Sequence, residues 1–302
     1  MTDAAVARWI KGELESDAPR APSLIVTVWG DALAPRGNEY WLSTLLRLAA
    51  PFRINERAVR TGVYRLHRSG WLAPRPVGRR TRYRLTDTGR EGFERAFHRV
   101  YEPPFVRWDG HWDAVVIQGE AVTPALRKRL RDELAWAGFG QLASGVMIRP
   151  HRVDRAVVNI GAAYAATAVL TAFVARDARR VTGLAARVEG VWALAELAED
   201  YRKFLARFSA LEPRMKSNAD AEQAFVVRTL LMHAYRRVRL RDPQLPREVL
   251  PAGWPAAEAY RMARNLYRVT TKAAERFVDD VLDAEGETSS RRRRGEPRFK
   301  RA

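Results

Sequence analysis

Val6, Ile10 and Leu14 stand four apart in an otherwise polar run, the spacing of a short amphipathic helix that stops before SDAPRAP. Residues 1–19 therefore read as a helical arm with an apolar stripe for another subunit. In SLIVTVWGDAL the β-branched content favours a strand, but Leu24/Val28 and Ile25/Trp29 pair at helical spacing, and a helix is predicted. APRGNE is a turn. YWLSTLLRLAA is again helical through Trp41, Leu42, Leu45, Leu46 and Ala49, and Pro51 ends it.

The next segment, INERAVRTGVYRLHRSGWLAPRPVGRRTRYRLT, separates its residues most sharply. With Asn55 as N-cap and a rotation of about 100° per residue, Arg57, Arg60, Thr61, Tyr64 and Arg68 fall on one stripe. Val59, Gly62, Val63 and Leu66 fall opposite, and Gly62 lets another helix come close. Gly70 is placed to end the helix, and Trp71 opens an extended run. WLAPRP leads out, VGRR turns and TRYRLT returns as a β-hairpin, with Arg82 and Arg84 alternating with Tyr83 and Leu85. Thr86 or Asp87 then caps a helix over TGREGFERAFHRV. Helix, helix, basic-faced helix, hairpin, helix is the order of a winged helix-turn-helix domain, here residues 20–101.

The paired prolines and glycine of YEPPFVRWDGHW mark a linker at 102–110. Beyond it, strand-like WDAVVI, a helix capped by Thr123 with Pro124 first, strand-like QLASGVMI, a helix near 154–161 and strand-like TAVLTAFVA alternate. This pattern predicts a small ferredoxin-like α+β domain over 111–183. Residues 184–286 read as helices interrupted by the proline-rich DPQLPREVLPAGWP, a helical C-terminal domain. ETSSRRRRGEPRFKRA, 287–302, has no periodicity and reads as a disordered basic tail. The fold class is multidomain α+β.

Charge changes the picture. The 302 residues carry a formal net charge of +18, which calls for a polyanionic partner or a repulsive, solvated surface. Position decides between these. From Arg20 to Arg99 there are 16 arginines and no lysine against 6 acids, a surplus of 10, within the winged-helix segment. A helix fits the DNA major groove, so Arg57, Arg60, Thr61, Tyr64 and Arg68 are candidate contacts to bases and phosphates. Arg79, Arg80 and Arg82 on the hairpin are candidates for the backbone or the adjacent minor groove.

The chain has no cysteine, which excludes disulfides, thiolate zinc sites and a cysteine nucleophile. His67, His98, His111, His151 and His233 show no metal-ligand spacing, so no metal and no cofactor is expected. No apolar run approaches a membrane span of about 18 residues, and the N-terminus lacks a signal pattern, so the expected location is the cytoplasm. No nucleophile elbow, phosphate loop or metalloprotease motif is present, and no catalytic residue is assigned.

With these residues in view, the chain resembles the PaaX-type repressors of phenylacetate degradation. The likeness runs from SLIVTVWGD through RAVRTGVYRLHRSGWLAPRPVGRRTRYRLTDTG to AEDYRKFLARF and YRRVRLRDPQLPREVLPAGWP. It implies a homodimeric repressor of an aromatic-acid catabolic operon, reading an inverted repeat. It also implies a Cas2-like middle domain and release from DNA by an aryl-CoA thioester, typically phenylacetyl-CoA. The chain departs from the family's Trp-Pro-Gly at Trp254-Pro255-Ala256.

Such an effector needs cations for its phosphates and an apolar slot for its aryl group. Arg236, Arg237, Arg239 and Arg241, with Tyr235 beside them, offer the first, and Trp192 and Trp254 the second. The same arginines serve equally to tie helices to Asp242 or to backbone carbonyls. Two rival readings remain: a DNA-binding regulator with an unrelated effector, and a metal-dependent nuclease using Asp113 of the Cas2-like strand. Asp113 is the only acid in that strand, and metal hydrolysis normally uses several oxygen ligands.

Overall fold

The computed structural model describes residues 4–105, 107–119, 122–176, 190–215, 220–287 and 298–299. They fall into two compact units, one built from 1–102, 204–237 and 258–302, the other from 103–203 and 238–257.

In the first unit, α1 (Ala4–Ser16) buries Val6 and Leu14. The helix packs within its own chain. Trp9 packs on Phe208 with ring centroids 5.5 Å apart, and Arg207 pairs with Glu13 and, at 2.9 Å, with Asp17. The predicted arm is thus a helix of the chain's own core. α2 (Ala21–Val28) buries Leu24, Ile25 and Val28, and a π turn over Trp29–Leu33 extends it. A short strand, β1 (Glu39–Trp41), then precedes α3 (Leu42–Ala49). Trp41 is therefore the N-cap of α3 rather than part of its apolar face.

α4 (Glu56–Arg68) begins on Asn55, whose Oδ1 accepts from the Ala58 amide at 2.8 Å. Gly70, at φ 75°, closes it through Trp71 N–H donating to the Leu66 carbonyl. β2 (Leu72–Val77) and β3 (Arg80–Leu85) form an antiparallel hairpin turning on Gly78 and Arg79. Gly78 has φ 57°, the left-handed conformation expected at the first turn position of a tight hairpin. β1 joins the other edge of β3, giving the order β1-β3-β2. α5 (Asp87–Tyr101) starts with the Thr86 hydroxyl accepting from the Gly89 amide at 3.0 Å.

The second unit contains β4 (His111–Ile117), α6 (Pro124–Trp136), β5 (Gly140–Ala143), β6 (Val146–Pro150), α7 (Ala156–Ala163) and β7 (Leu170–Arg176). Its sheet runs β5-β6-β4-β7, with each neighbouring pair antiparallel. Both faces of β4 are covered. Val115 and Ile117 join Leu130, Leu134, Phe139 and Ile160 in one apolar cluster, and Trp112 and Ala114 join Ile148, Leu194 and Leu245 in another. Burial on both faces explains why WDAVVI is nearly continuous in apolar residues.

Three long helices follow: α8 (Leu194–Phe208), α9 (Ala221–Arg239) and α10 (Ala256–Ala284). By their contacts, these helices are shared between the two units: 204–237 and 258–284 fall in the first, 194–203 and 238–257 in the second. Within the first unit, Phe225 of α9 meets Phe52 at 5.8 Å, and the Tyr260 hydroxyl of α10 donates to the Tyr101 carbonyl at 3.1 Å. Residues 184–189 lie outside the described residues, as does most of the predicted disordered tail.

The described part of that tail is ordered by contact. Glu287 is buried, and Arg298 donates to the Gly30 and Asp31 carbonyls at 2.8 and 3.0 Å. Phe299 packs among Tyr101, Tyr260 and Tyr267 with centroids 5.2–5.5 Å away. Composition reads only the charge of such a segment, not an aromatic anchor that finds a cage.

One buried ionic network ties the first unit together. The wholly buried Arg228 pairs with Asp31 at 3.2 Å and with Glu275 at 2.5 Å, and Arg36 also reaches Glu275. Burial by itself raises the Glu275 carboxyl, but Arg228 and Arg36 hold it below the ordinary carboxylate range.

Candidate nucleic-acid interface

α4 places its two kinds of residue as the 3.6-residue period requires. Val59, Gly62 and Val63 are buried, while Arg57, Arg60, Thr61, Tyr64, Arg65 and Arg68 are exposed. Gly62 faces α2 at a distance no side chain fits: an added Cβ would lie 2.9 Å from Ile25 Cδ1 and 3.2 Å from the Pro22 nitrogen. That contact seats α4 firmly, so its outer face is held in one orientation. Tyr64 is 58% exposed, with the His67 ring edge-on at 6.4 Å.

The exposed side chains differ in freedom. Arg60 pairs with Glu56 at 3.2 Å, one turn back, and both are on the surface. The Thr61 hydroxyl donates to the Arg57 carbonyl at 2.8 Å. Arg57, Arg65 and Arg68 have no acidic partner among the described residues. Arg65 falls just outside the narrow stripe, so helical periodicity alone does not mark it.

The hairpin behaves differently from its sequence. Arg79, at the turn, is exposed and has no acidic partner among the described residues. Arg80 and Arg82 are both engaged within the unit. Arg80 donates to Ser43 Oγ at 2.8 Å and Glu285 at 2.6 Å, with its guanidinium 4.2 Å from the centre of the Trp41 ring. Arg82 lies over the same ring at 4.6 Å and pairs with Glu287 at 2.5 Å, leaving its side chain 17% exposed. Arg75, across the hairpin from Arg82, pairs with Glu39 at 2.8 Å. The strand alternation predicted a shared basic face; β1 and the end of α10 cover part of it. Neither β1, only three residues long, nor the acids some 200 positions away leaves a local signal.

The candidate effector residues divide between the units. Tyr235 is buried, 5.4 Å from Phe204, and Arg236 donates to the Ser23 carbonyl at 3.3 Å. Arg237 is exposed, and these three belong to the first unit. In the second, Arg241 pairs with Asp200 at 2.5 Å. Trp192 stacks on Trp112 at 6.3 Å, Trp254 meets Tyr201 edge-on at 6.1 Å, and both tryptophans pack against the cluster around Trp112.

Asp113 is held by two neighbouring side chains. Arg149, its cross-strand partner, donates to one carboxylate oxygen at 2.9 Å, and His151 meets the other at 2.5 Å. Among the described residues no three His, Asp or Glu side chains gather where a metal could be held, and no helix is long and apolar enough to cross a membrane.

Three family descriptions match the chain in succession: PaaX-like protein over residues 20–89, the PaaX protein central Cas2-like domain over 106–188, and the PaaX-like protein C-terminal domain over 192–280. The chain belongs to the PaaX family. Agreement extends to a whole relative: the transcriptional repressor PaaX of Escherichia coli (strain K12) is 36% identical over 272 residues, covering 88% of this chain and 84% of that one. An uncharacterized protein of Mycobacterium tuberculosis, Rv0674, superposes with a TM-score of 0.53 at 25% identity, over 87% of this chain and 98% of its own. In this PaaX-family chain, the block matched first contains α4 and the whole hairpin, and the block matched last ends at residue 280, before Glu285 and Glu287.

Proposed function

We propose that this chain is a non-enzymatic transcriptional repressor that binds double-stranded DNA through residues 20–101, acting as a winged helix-turn-helix. The observation that carries the reading is the outer face of α4, where Arg57, Arg60, Thr61 and Tyr64 stand exposed on a helix packed tightly through Gly62. Guanidinium groups recognise guanine edges or phosphates, a threonine methyl or hydroxyl suits a base edge, and an exposed tyrosine lies against sugar or base. Arg68 and the turn residue Arg79 extend the basic surface beyond the groove, and Arg80 and Arg82 lie beside it. The repressor name of the Escherichia coli relative supports the same reading.

The second unit's β-α-β-β-α-β order and its β5-β6-β4-β7 sheet suit a ferredoxin-like, Cas2-like domain. In nucleases of that shape an acid must reach a metal; here Asp113 is occupied by Arg149 and His151, which favours a structural role. The repressor is a cytoplasmic homodimer on an inverted repeat, with half-sites about one helical turn or its multiple apart. It governs an aromatic-acid catabolic operon. Its effector is an aryl-CoA thioester such as phenylacetyl-CoA, whose aryl group the paired packing of Trp192 and Trp254 on one apolar cluster would suit.

The test is a fluorescence-anisotropy titration of the duplex upstream of this chain's own gene, with and without phenylacetyl-CoA at physiological salt. Sequence-dependent binding relieved by the thioester is expected. Binding indifferent to it would leave the repressor and discard that effector, and cleavage of the duplex on adding a divalent metal, abolished by Asp113→Asn, would replace the repressor with a nuclease.

A further inference from the structure

The end of α10 builds an unusual contact with the winged-helix segment. Gly286, at φ 70°, turns the chain so that the Glu287 amide donates back to the Leu282 carbonyl at 2.9 Å, and the flanking carboxylates of Glu285 and Glu287 both point at the start of α3. Glu287 accepts from the Trp41 amide at 2.8 Å, the Thr44 hydroxyl at 2.9 Å and Arg82 at 2.5 Å. Glu285 accepts from the Ser43 hydroxyl and from Arg80 at 2.6 Å, and pairs with Arg47 at 2.7 Å. The carboxylates are thus held by a helix N-terminus, two hydroxyls and three guanidinium groups.

This donor set is what proteins use for phosphate. Helix N-terminal amides, Ser and Thr hydroxyls and forked guanidinium groups all bind phosphodiester oxygens, and a carboxylate offers the same acceptors with less charge. The cradle is not sealed as a purely internal ion pair would be: the Arg47 and Arg80 side chains are 56% and 49% exposed, while those of Glu285 and Glu287 are 8% and 2%. Its rim is also continuous in sequence with the exposed, acid-free Arg79 at the hairpin turn.

We propose that this cradle is a phosphodiester-binding site, and that Glu285 and Glu287 fill it in the DNA-free chain as internal stand-ins that a DNA backbone phosphate displaces. The inference rests on the DNA-binding reading above and adds an intramolecular competitor to it. The winged-helix segment then carries its own brake, and the affinity for DNA is set partly by how firmly the end of α10 is seated.

The experiment compares the full chain with its Glu285→Gln/Glu287→Gln variant, titrated against one random-sequence 20-base-pair duplex at low and high salt. Glutamine keeps the size and one acceptor oxygen but removes the negative charge facing the backbone. The variant should bind on the order of tenfold more tightly at about 0.1 M salt, and the gain should shrink at about 1 M, where charge interactions are screened within about 3 Å. Should the double variant not fold, Glu285→Gln alone, with the Glu287 contacts intact, is expected to bind more tightly by a smaller factor. Equal or weaker binding by a variant that melts like the parent would overturn the brake while leaving DNA binding in place. Binding by neither protein at low salt would overturn both.

Discussion

Gly62→Ala sets two known effects against each other. Inside an exposed helix, replacing glycine by alanine stabilises by about 1 kcal/mol. At Gly62 the added methyl would lie 2.9 Å from Ile25 Cδ1, 3.2 Å from the Pro22 nitrogen and 3.3 Å from the Ala21 carbonyl carbon. Two of those three atoms are backbone, so relief requires α2 and α4 to separate rather than one side chain to rotate. Overpacking of this kind costs roughly 1–3 kcal/mol, and with little room to yield the upper half of the range applies, for a net loss of about 1–2 kcal/mol. Gly12 of α1 is the control, since a Cβ there meets nothing within 4 Å. Urea unfolding at pH 7.5 should show Gly12→Ala more stable than the parent by up to about 1 kcal/mol and Gly62→Ala less stable. Because the displaced helix is the one proposed to read DNA, Gly62→Ala should also weaken binding of the upstream duplex. Stabilisation by both substitutions would refute the close approach of α2 and α4.

Other consequences can be measured separately. Burial, followed by Arg236 and Arg237, pulls the pKa of His233 down from 6.5 to about 4, so the unfolded chain takes up a proton there before the native chain does. The resulting stability is present above pH 6.5 and is lost as pH falls toward 4, by about 2 kcal/mol between pH 7.5 and pH 5; urea titrations should show this dependence reduced in His233→Gln, and an unchanged dependence would place the titration elsewhere. Asp31→Ala leaves the buried Arg228 with Glu275 alone and should destabilise by roughly 3 kcal/mol, read as a drop in the urea midpoint; a change under about 1 kcal/mol would mean that the network is hydrated. Phe299→Ala should speed tryptic cleavage in the arginine-rich stretch 291–294 by releasing the ring from Tyr101, Tyr260 and Tyr267, and an unaltered digestion rate would argue against docking.

What could be read from the sequence followed the range of each signal. α4 was legible in full, cap, buried face and terminating glycine alike, because Asn55, Gly62 and Gly70 act over one or two turns. The hairpin was legible as backbone, since Gly78 and the alternation around Tyr83 are local. Its charge was not. Whether Arg80 and Arg82 face solvent depends on Trp41 in a three-residue strand and on Glu285 and Glu287 some 200 positions away, and no periodic pattern encodes that. The same limit explains α1, whose apolar stripe predicts burial without saying that the partner is α8 of its own chain. It also explains the tail, where the charge of four consecutive arginines concealed the anchoring role of Arg298 and Phe299. For the effector, the needs of the aryl-CoA ligand that the family resemblance implies grouped Tyr235, Arg236 and Arg237 with Trp192, Arg241 and Trp254; folding assigned three to each unit.

The most direct measurement titrates the upstream duplex and a scrambled duplex against the parent chain, Arg60→Ala, and the Arg57→Ala/Arg60→Ala double variant, all at one physiological salt concentration. If α4 reads the operator, Arg60→Ala should lose on the order of 1–3 kcal/mol on the upstream duplex and less on the scrambled one, and the double variant should no longer distinguish the two. An equal loss on both duplexes would make Arg60 a phosphate contact. Full discrimination retained by the double variant would show that α4 is not the reading helix.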